Sequence, residues 1–346
     1  MRRKYAQPAL PNLYFREGVL SVPGYTFDKA IPWEDTGSMT LLAEGMSLKD
    51  GSSVLAKIAS AHTNASMCIE REAHILERMA ANPDSLDNSL RLIDFFNIPK
   101  GNGDCVVLLL VHPGLNLLGR YFPPSKVNDL LLADVSRPRP STSHGDVYMM
   151  GVEEPDMIED MEPMEIMDLA SFLEFAIQAT HCLEMLHRSG LIHREVRANA
   201  FHLNAHSGLV RLVHHGNRAV SLEQFGVPST FVLRADAFEE VKKLKVKEAL
   251  CYLAPEQTGG MESTAEDHRT DLYSLGVMFW TLLVGRGTMP FEGGPLELLH
   301  AIVQKRPMPV HEVRRDVPQV LALIIDKDVI VIGEISRRTL PKCLWP

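Results

Sequence analysis

Residues 191–216, LIHREVRANAFHLNAHSGLVRLVHHG, read as strand, turn, strand. The elements on either side decide what such a hairpin belongs to. Upstream, LASFLEFAIQATHCLEMLHRSG (169–190) sets Leu169, Phe172, Leu173, Ala176, Thr180, Leu183 and Leu186 on one predicted helical face, and Gly190 supplies the stop. Downstream, TDLYSLGVMFWTLLVG (270–285) is apolar nearly all round, the mark of a helix buried in a large domain, and PLELLHAIVQKR (295–306) is a further amphipathic helix.

The first third is strand-like instead. SMTLLAEGMSLKDGSSVLAKIAS (38–60), SLRLIDFFNIP (89–99) and GDCVVLLLV (103–111) are short β-branched and aliphatic runs punctuated by Gly, Asp and Asn. One helix interrupts them, SMCIEREAHILERMAA (66–81), with Met67, Ile69, Ala73, Leu76 and Met79 close to one face. Strands first, helices second and no repeats predict an α+β architecture. Between Leu117 and Met167 the pattern dissolves into a Pro- and Ser-rich stretch and then EEPDMIEDMEPMEIMD (153–168), which is half acidic; composition predicts an exposed, solvated insertion, though its Met residues could dock on a partner groove.

The totals limit the functional classes. A chain of 346 residues that is 45% apolar can bury a large core. A net charge of −9 with no basic stripe argues against nucleic acid as a partner. Cys68, Cys105, Cys182, Cys251 and Cys343 show no paired metal-ligand spacing and read as thiols of a reducing compartment. The start is basic without an apolar core behind it, and the longest apolar run, VLALIIDKDVIVIG (320–333), is cut by three charges, so a cytoplasmic protein without a membrane span is expected.

Several short motifs fall in one order. They are VLAK (54–57) with Glu72 in the next helix, IHREVRANA (192–200), VRLVHHG (210–216), YLAPEQTG (252–259), and Asp271 in the first turn of the buried helix. From about Tyr25 to Lys327 the chain thus resembles the eukaryotic-type protein kinase fold. In wording it is closest to the kinase-like amino-terminal domain of fungal hybrid histidine kinases, which also occurs ahead of ATPase and GAF modules in bacterial sensors. The resemblance implies a bilobal fold with a tail (1–22), a β-rich N-lobe (23–112), a helical C-lobe (113–327) carrying the insertion at 120–167, and an aberrant or truncated end (328–346). It makes Lys57 and Glu72 the nucleotide-side ion pair, Glu195 and Arg197 the catalytic positions, and His193, Arg194, Gly216, Ala254, Pro255, Glu256 and Asp271 the structural motif residues. Arg337 or Arg338 is the expected partner for Glu256.

The resemblance also exposes departures. In the family an Asp and an Asn hold two metal ions, and here those positions are His214 and Ala200. Imidazole is a poor ligand for magnesium, and a methyl group is none. Glu195 keeps a carboxylate but is one methylene too long, which could cost about 100-fold, and Arg197 replaces a point donor by a planar fork. Where the family has a glycine-rich loop, IPWEDTGSMTLLAEG (31–45) has Gly37 but nothing like G-x-G-x-x-G, Glu34 and Asp35 would repel a triphosphate, and Leu55 would crowd an adenine. His215, at the family's Phe position, is expected in the apolar stack between the lobes.

Seven histidines (181, 187, 193, 202, 206, 214, 215) gather near this loop, but no HxH or HExxH spacing sets a second ligand, so packed or solvated imidazoles are expected and no metal site. Lys242, Lys243, Lys245 and Lys247 read as a solvated face that could meet the acidic insertion or an acidic partner. The expectation is a pseudokinase, with ATP at most weakly bound and magnesium poorly held, acting with protein partners or downstream domains of a phosphorelay protein. An active Ser/Thr kinase with degenerate motifs is the alternative.

Overall fold

The computed structural model describes residues 15–16, 19–27, 31–35, 38–61, 64–82, 88–98, 105–122, 165–215, 220–221, 250–258 and 267–326. The Lys-rich segment 242–247, Gly37, Gly216, Arg337, Arg338 and most of the insertion lie outside them.

Strand β6 (Ser53–Ser60) organises the first half. Its residues Val54 to Ala59 are all buried, because both faces of the sheet are covered there. Side chains alternate across a strand, so Val54, Ala56 and Ile58 meet Cys105, Val107 and Leu109 of β8 (Cys105–Val111) on one face. Leu55 and Ala59 pack on the other with Val106, Leu108 and Leu110, under Ile69, Ala73 and Leu76 of α1 (Asn64–Ala80). Lys57 has the parity of Leu55 and Ala59 and is therefore aimed at α1. Met67, expected on that inner face, is 57% exposed; it sits in the first turn of α1, and the buried stripe runs instead through Ile69, Glu72, Ala73, Ile75, Leu76 and Met79.

The remaining strands are β1 (Phe15–Arg16), β2 (Val19–Val22), β3 (Tyr25–Phe27), β4 (Ile31–Asp35), β5 (Ser38–Ser47) and β7 (Leu92–Ile98). They form one sheet in the order β1-β2-β3-β5-β6-β8-β7, with β4 also beside β5, and every pairing is antiparallel. Strands β1 and β2 fall within the stretch 1–22 read as a tail, and they pair onward to β3 and extend the sheet. The pairing of β4 with β5 runs up to Asp35 opposite Ser38, so only Thr36 and Gly37 connect them.

The second half is helical. Helix α2 (Leu169–Arg188) starts at Asp168, whose Oδ1 accepts the N–H groups of Ala170 and Ser171 at 3.0 Å each. Its buried stripe is Phe172, Phe175, Ala179, Cys182, Leu183, Met185 and Leu186. Leu173 (40% exposed) and Thr180 were expected there and lie to the outside, whereas Ala176 is half-buried at the edge of the core; the Thr180 hydroxyl donates to the Ala176 carbonyl. Helix α3 (His268–Val284) is buried without a break from Tyr273 to Leu283, with Thr270 and Asp271 buried ahead of the half-buried Leu272, and Phe279 meets Phe172 edge-to-face at 5.5 Å. Helices α4 (Pro295–Gln304) and α5 (Val310–Val313) follow. The Glu165 N–H donates to the Arg120 carbonyl at 3.0 Å, so the two ends of the insertion meet side by side.

Candidate active site

Asp271 anchors the loop that follows β9 (Leu191–Ile192). It is fully buried in the first turn of α3, where its Oδ2 accepts the His193 N–H and the His187 Nε2–H at 2.8 Å each and its Oδ1 accepts the Arg194 N–H at 2.7 Å. Arg194 needs that support, because its φ of 63° lies in the left-handed region that costs a non-glycine residue free energy. Gln257 adds a second tie by donating to the Arg194 carbonyl at 3.0 Å while its own Oε1 accepts the Ala254 N–H. Glu256 accepts the Thr270 hydroxyl at 2.6 Å, and its charge also acts on Arg269.

His193 is fully buried between two fixed partners. Its Nε2–H donates to the His214 carbonyl at 2.8 Å and its Nδ1 accepts the Glu195 N–H at 3.2 Å, which defines a neutral tautomer. Burial pushes its pKa down to about 4 although Asp271 pulls the other way. The loop is thus a rigid frame.

Lys57 is 0% exposed. Its Nζ donates to Glu72 Oε1 at 2.6 Å and to the Val213 carbonyl at 3.0 Å, tying β6, α1 and the segment before His214 into one knot. Burial alone would raise the Glu72 carboxyl, but the Lys57 charge and a hydrogen bond from His215 outweigh it and hold Glu72 well below the usual range. His215 is itself fully buried, with Nδ1 3.5 Å from Glu72 Oε1 and its ring 6.2 Å from that of His193. It lies between Glu72 of α1 and the His193 ring and turns a polar edge to the carboxylate.

Glu195 lies 3.4 Å from the Arg197 guanidinium. Ala200 is fully buried at the end of a 3-10 turn, Ala198–Ala200, and His214 is 5% exposed. Among the described residues, no three His, Cys, Asp or Glu side chains come together as a metal-holding group. The two anchor positions offer one ring nitrogen and one methyl, a donor set that suits a hard, oxygen-seeking cation such as magnesium poorly.

Asn199 is a residue the motif reading passed over. Its Oδ1 is buried without a hydrogen-bond partner among the described residues, one position short of Ala200. Successive side chains of a 3-10 turn diverge by about 120°, so this oxygen cannot take over the direction of Ala200. Of the other histidines, His181 pairs with Glu184 at 3.1 Å on the surface of α2, and His206 sits in an exposed turn.

The protein tyrosine and serine/threonine kinase family model matches residues 105–328. The chain is 28% identical over 156 residues to a probable serine/threonine-protein kinase of Clostridium perfringens, covering 45% of this chain and 20% of that protein. It is 26% identical over 216 residues to hybrid signal transduction histidine kinase G of Dictyostelium discoideum, covering 46% of this chain and 6% of that protein. It is 29% identical over 137 residues to the peroxide stress-activated histidine kinase mak2 of Schizosaccharomyces pombe, covering 39% of this chain and 6% of that protein. The chain therefore spans about a fifth or less of the length of these relatives. With the family model covering strand β8, the Asp271-bound loop and the buried helix α3 alike, the chain belongs to the protein tyrosine and serine/threonine kinase family.

Proposed function

We propose that this domain is a pseudokinase, a kinase fold that serves as a regulatory input or scaffold for a longer phosphorelay protein. Transfer of a phosphoryl group depends on positioning and on metal ions that neutralise phosphate charge. The observation that carries the reading is the replacement of both metal anchors, by His214 and Ala200, on a loop that Asp271 still holds in place. The knot at Lys57 supports it, because two of the lysine's donors are spent on Glu72 and Val213. Similarity to hybrid histidine kinases supports the phosphorelay context, and the partners would be the other domains of such a protein. Family membership implies nucleotide binding in general; here ATP would bind weakly and without magnesium. Among the described residues no helix is long and apolar enough to cross a membrane, in keeping with a cytoplasmic module.

The test is transfer from γ-labelled ATP, with magnesium or manganese, to the protein itself and to a generic basic substrate. Incorporation is expected to stay at the level of a heat-denatured blank. Turnover on the order of 1–100 s⁻¹, ordinary for kinases, would instead establish an active Ser/Thr enzyme that works through Glu195.

A further inference from the structure

The segment that leaves β8 and enters the helical half, His112 to Leu117, has polar backbone groups that must be satisfied somewhere. On the donor side, the His112 N–H goes to the Ser53 carbonyl at 3.1 Å, the Gly114 N–H to His112 Nδ1 at 3.0 Å, and the Leu117 N–H to the Leu203 carbonyl at 2.9 Å. On the acceptor side, the Pro113 carbonyl takes Asn204 Nδ2–H at 2.6 Å, the Gly114 carbonyl takes His202 Nε2–H at 3.2 Å, and the Leu115 carbonyl takes the Ala205 N–H at 2.9 Å. A planar heterocycle docking along such an edge needs a free N–H beside a free C=O. The chain itself has taken up three of the connection's N–H groups and three consecutive carbonyls, those of Pro113, Gly114 and Leu115.

We propose that the hairpin of β10 (Phe201–Leu203) and β11 (Val210–Leu212) is a built-in latch, in which His202 and Asn204 occupy the carbonyls of the connection and lock the two halves together without any bound small molecule. This deepens the pseudokinase reading and rests on it.

Each donor is fixed by its surroundings. Asn204 Oδ1 accepts the N–H groups of His206 and Ser207 at 2.9 and 2.8 Å, which leaves only its Nδ2 for Pro113. The partner of His202 Nε2 is a carbonyl, so that nitrogen carries the proton, and the ring is fully buried. Gly114 makes the approach possible: its φ is 90°, and a Cβ there would stand 2.5 Å from Asn204 Nδ2. Asn116 adds a stitch by accepting the N–H groups of Leu118 at 3.1 Å and Leu203 at 3.0 Å through one oxygen.

The test is amide hydrogen exchange on the full chain. Asn204→Asp keeps the turn acceptor for His206 and Ser207 but sets an oxygen against the Pro113 carbonyl. Exchange across Gly114–Leu117 is expected to rise about 10-fold, with α3 unchanged, as one strong hydrogen bond becomes a repulsion. Millimolar adenosine without metal is expected to leave the wild-type connection as it was. Should Asn204→Asp not fold, His202→Leu, which keeps a buried apolar volume and deletes the donor, carries the same test. Unchanged exchange in the variant, or protection of the wild-type connection by adenosine, would overturn the latch. Unchanged exchange leaves the pseudokinase reading standing, whereas metal-dependent turnover ends that reading whatever the exchange shows.

Discussion

Lys57→Met is expected to lower folding stability by about 3–5 kcal/mol, the usual consequence of stripping the partner from a buried charge. The side chains of Lys57 and Glu72 are only 1% and 6% exposed, so the carboxylate left behind has little water to turn to. Its remaining contact would be His215 Nδ1 at 3.5 Å, too long to replace a 2.6 Å ion pair. The Val213 carbonyl would lose a donor as well. Lys57→Met combined with Glu72→Leu removes both charges, and the double variant is expected to recover most of the loss. Urea unfolding midpoints at constant m-value measure both. A lysine kept ready for a ligand and only loosely held would give a single-variant loss under about 1 kcal/mol and no recovery in the double variant.

The second large effect is a loss of stability in mild acid. Burial puts the pKa values of His193 and His202 at about 4 in the folded protein, against 6.5 for an ordinary histidine. Above pH 6.5 both rings are neutral whether the chain is folded or not, and they contribute no pH dependence. Between pH 6.5 and 4 the unfolded chain binds protons that the folded chain refuses, so stability falls as pH falls. At about 1.4 kcal/mol per unit, each ring contributes on the order of 3 kcal/mol and the pair about 6. That is comparable with the whole stability of an ordinary domain, about 5–15 kcal/mol. His215, whose pKa is lowered by burial, acts in the same direction. Glu72 takes over below its ordinary 4.5, where protonating the unfolded chain removes the stability its ion pair supplied. Thermal melts followed by circular dichroism should show the midpoint dropping steeply from pH 6.5 to 5; a flat profile across that range would contradict the burial of these rings.

Much of the frame could be read from residue pattern. The unbroken aliphatic run of β8, and that of β6 interrupted only by Lys57, announce strands covered on both faces, and the helix from His268 announces its burial by having no polar side. The face of α2 could not be read in the same way. Its apolar residues fill two adjacent stripes, and packing against Phe279 and Phe201 selects Phe175, Ala179 and Cys182 over Leu173 and Thr180. Strands β1 and β2 are too short to show a period.

At the site, the substitutions at Ala200 and His214 are visible as letters, whereas their setting is not. The second acceptor of Lys57 is a backbone carbonyl, which no residue type reveals. The latch escapes for a similar reason: His202 and Asn204 sit in a stretch that reads as a polar turn, and their partners are the carbonyls of Gly114 and Pro113, far away in sequence. Polar side chains that bond to backbone leave no periodic trace.

The central claim is that internal contacts have replaced the metal-bound nucleotide in holding this fold together. Fluorescence titration of the full chain with a labelled ATP analogue, run in parallel with magnesium and with a chelator, tests it most directly. The two curves are expected to coincide, with no saturation into the high micromolar range. A micromolar Kd that appears only when magnesium is present would contradict the claim.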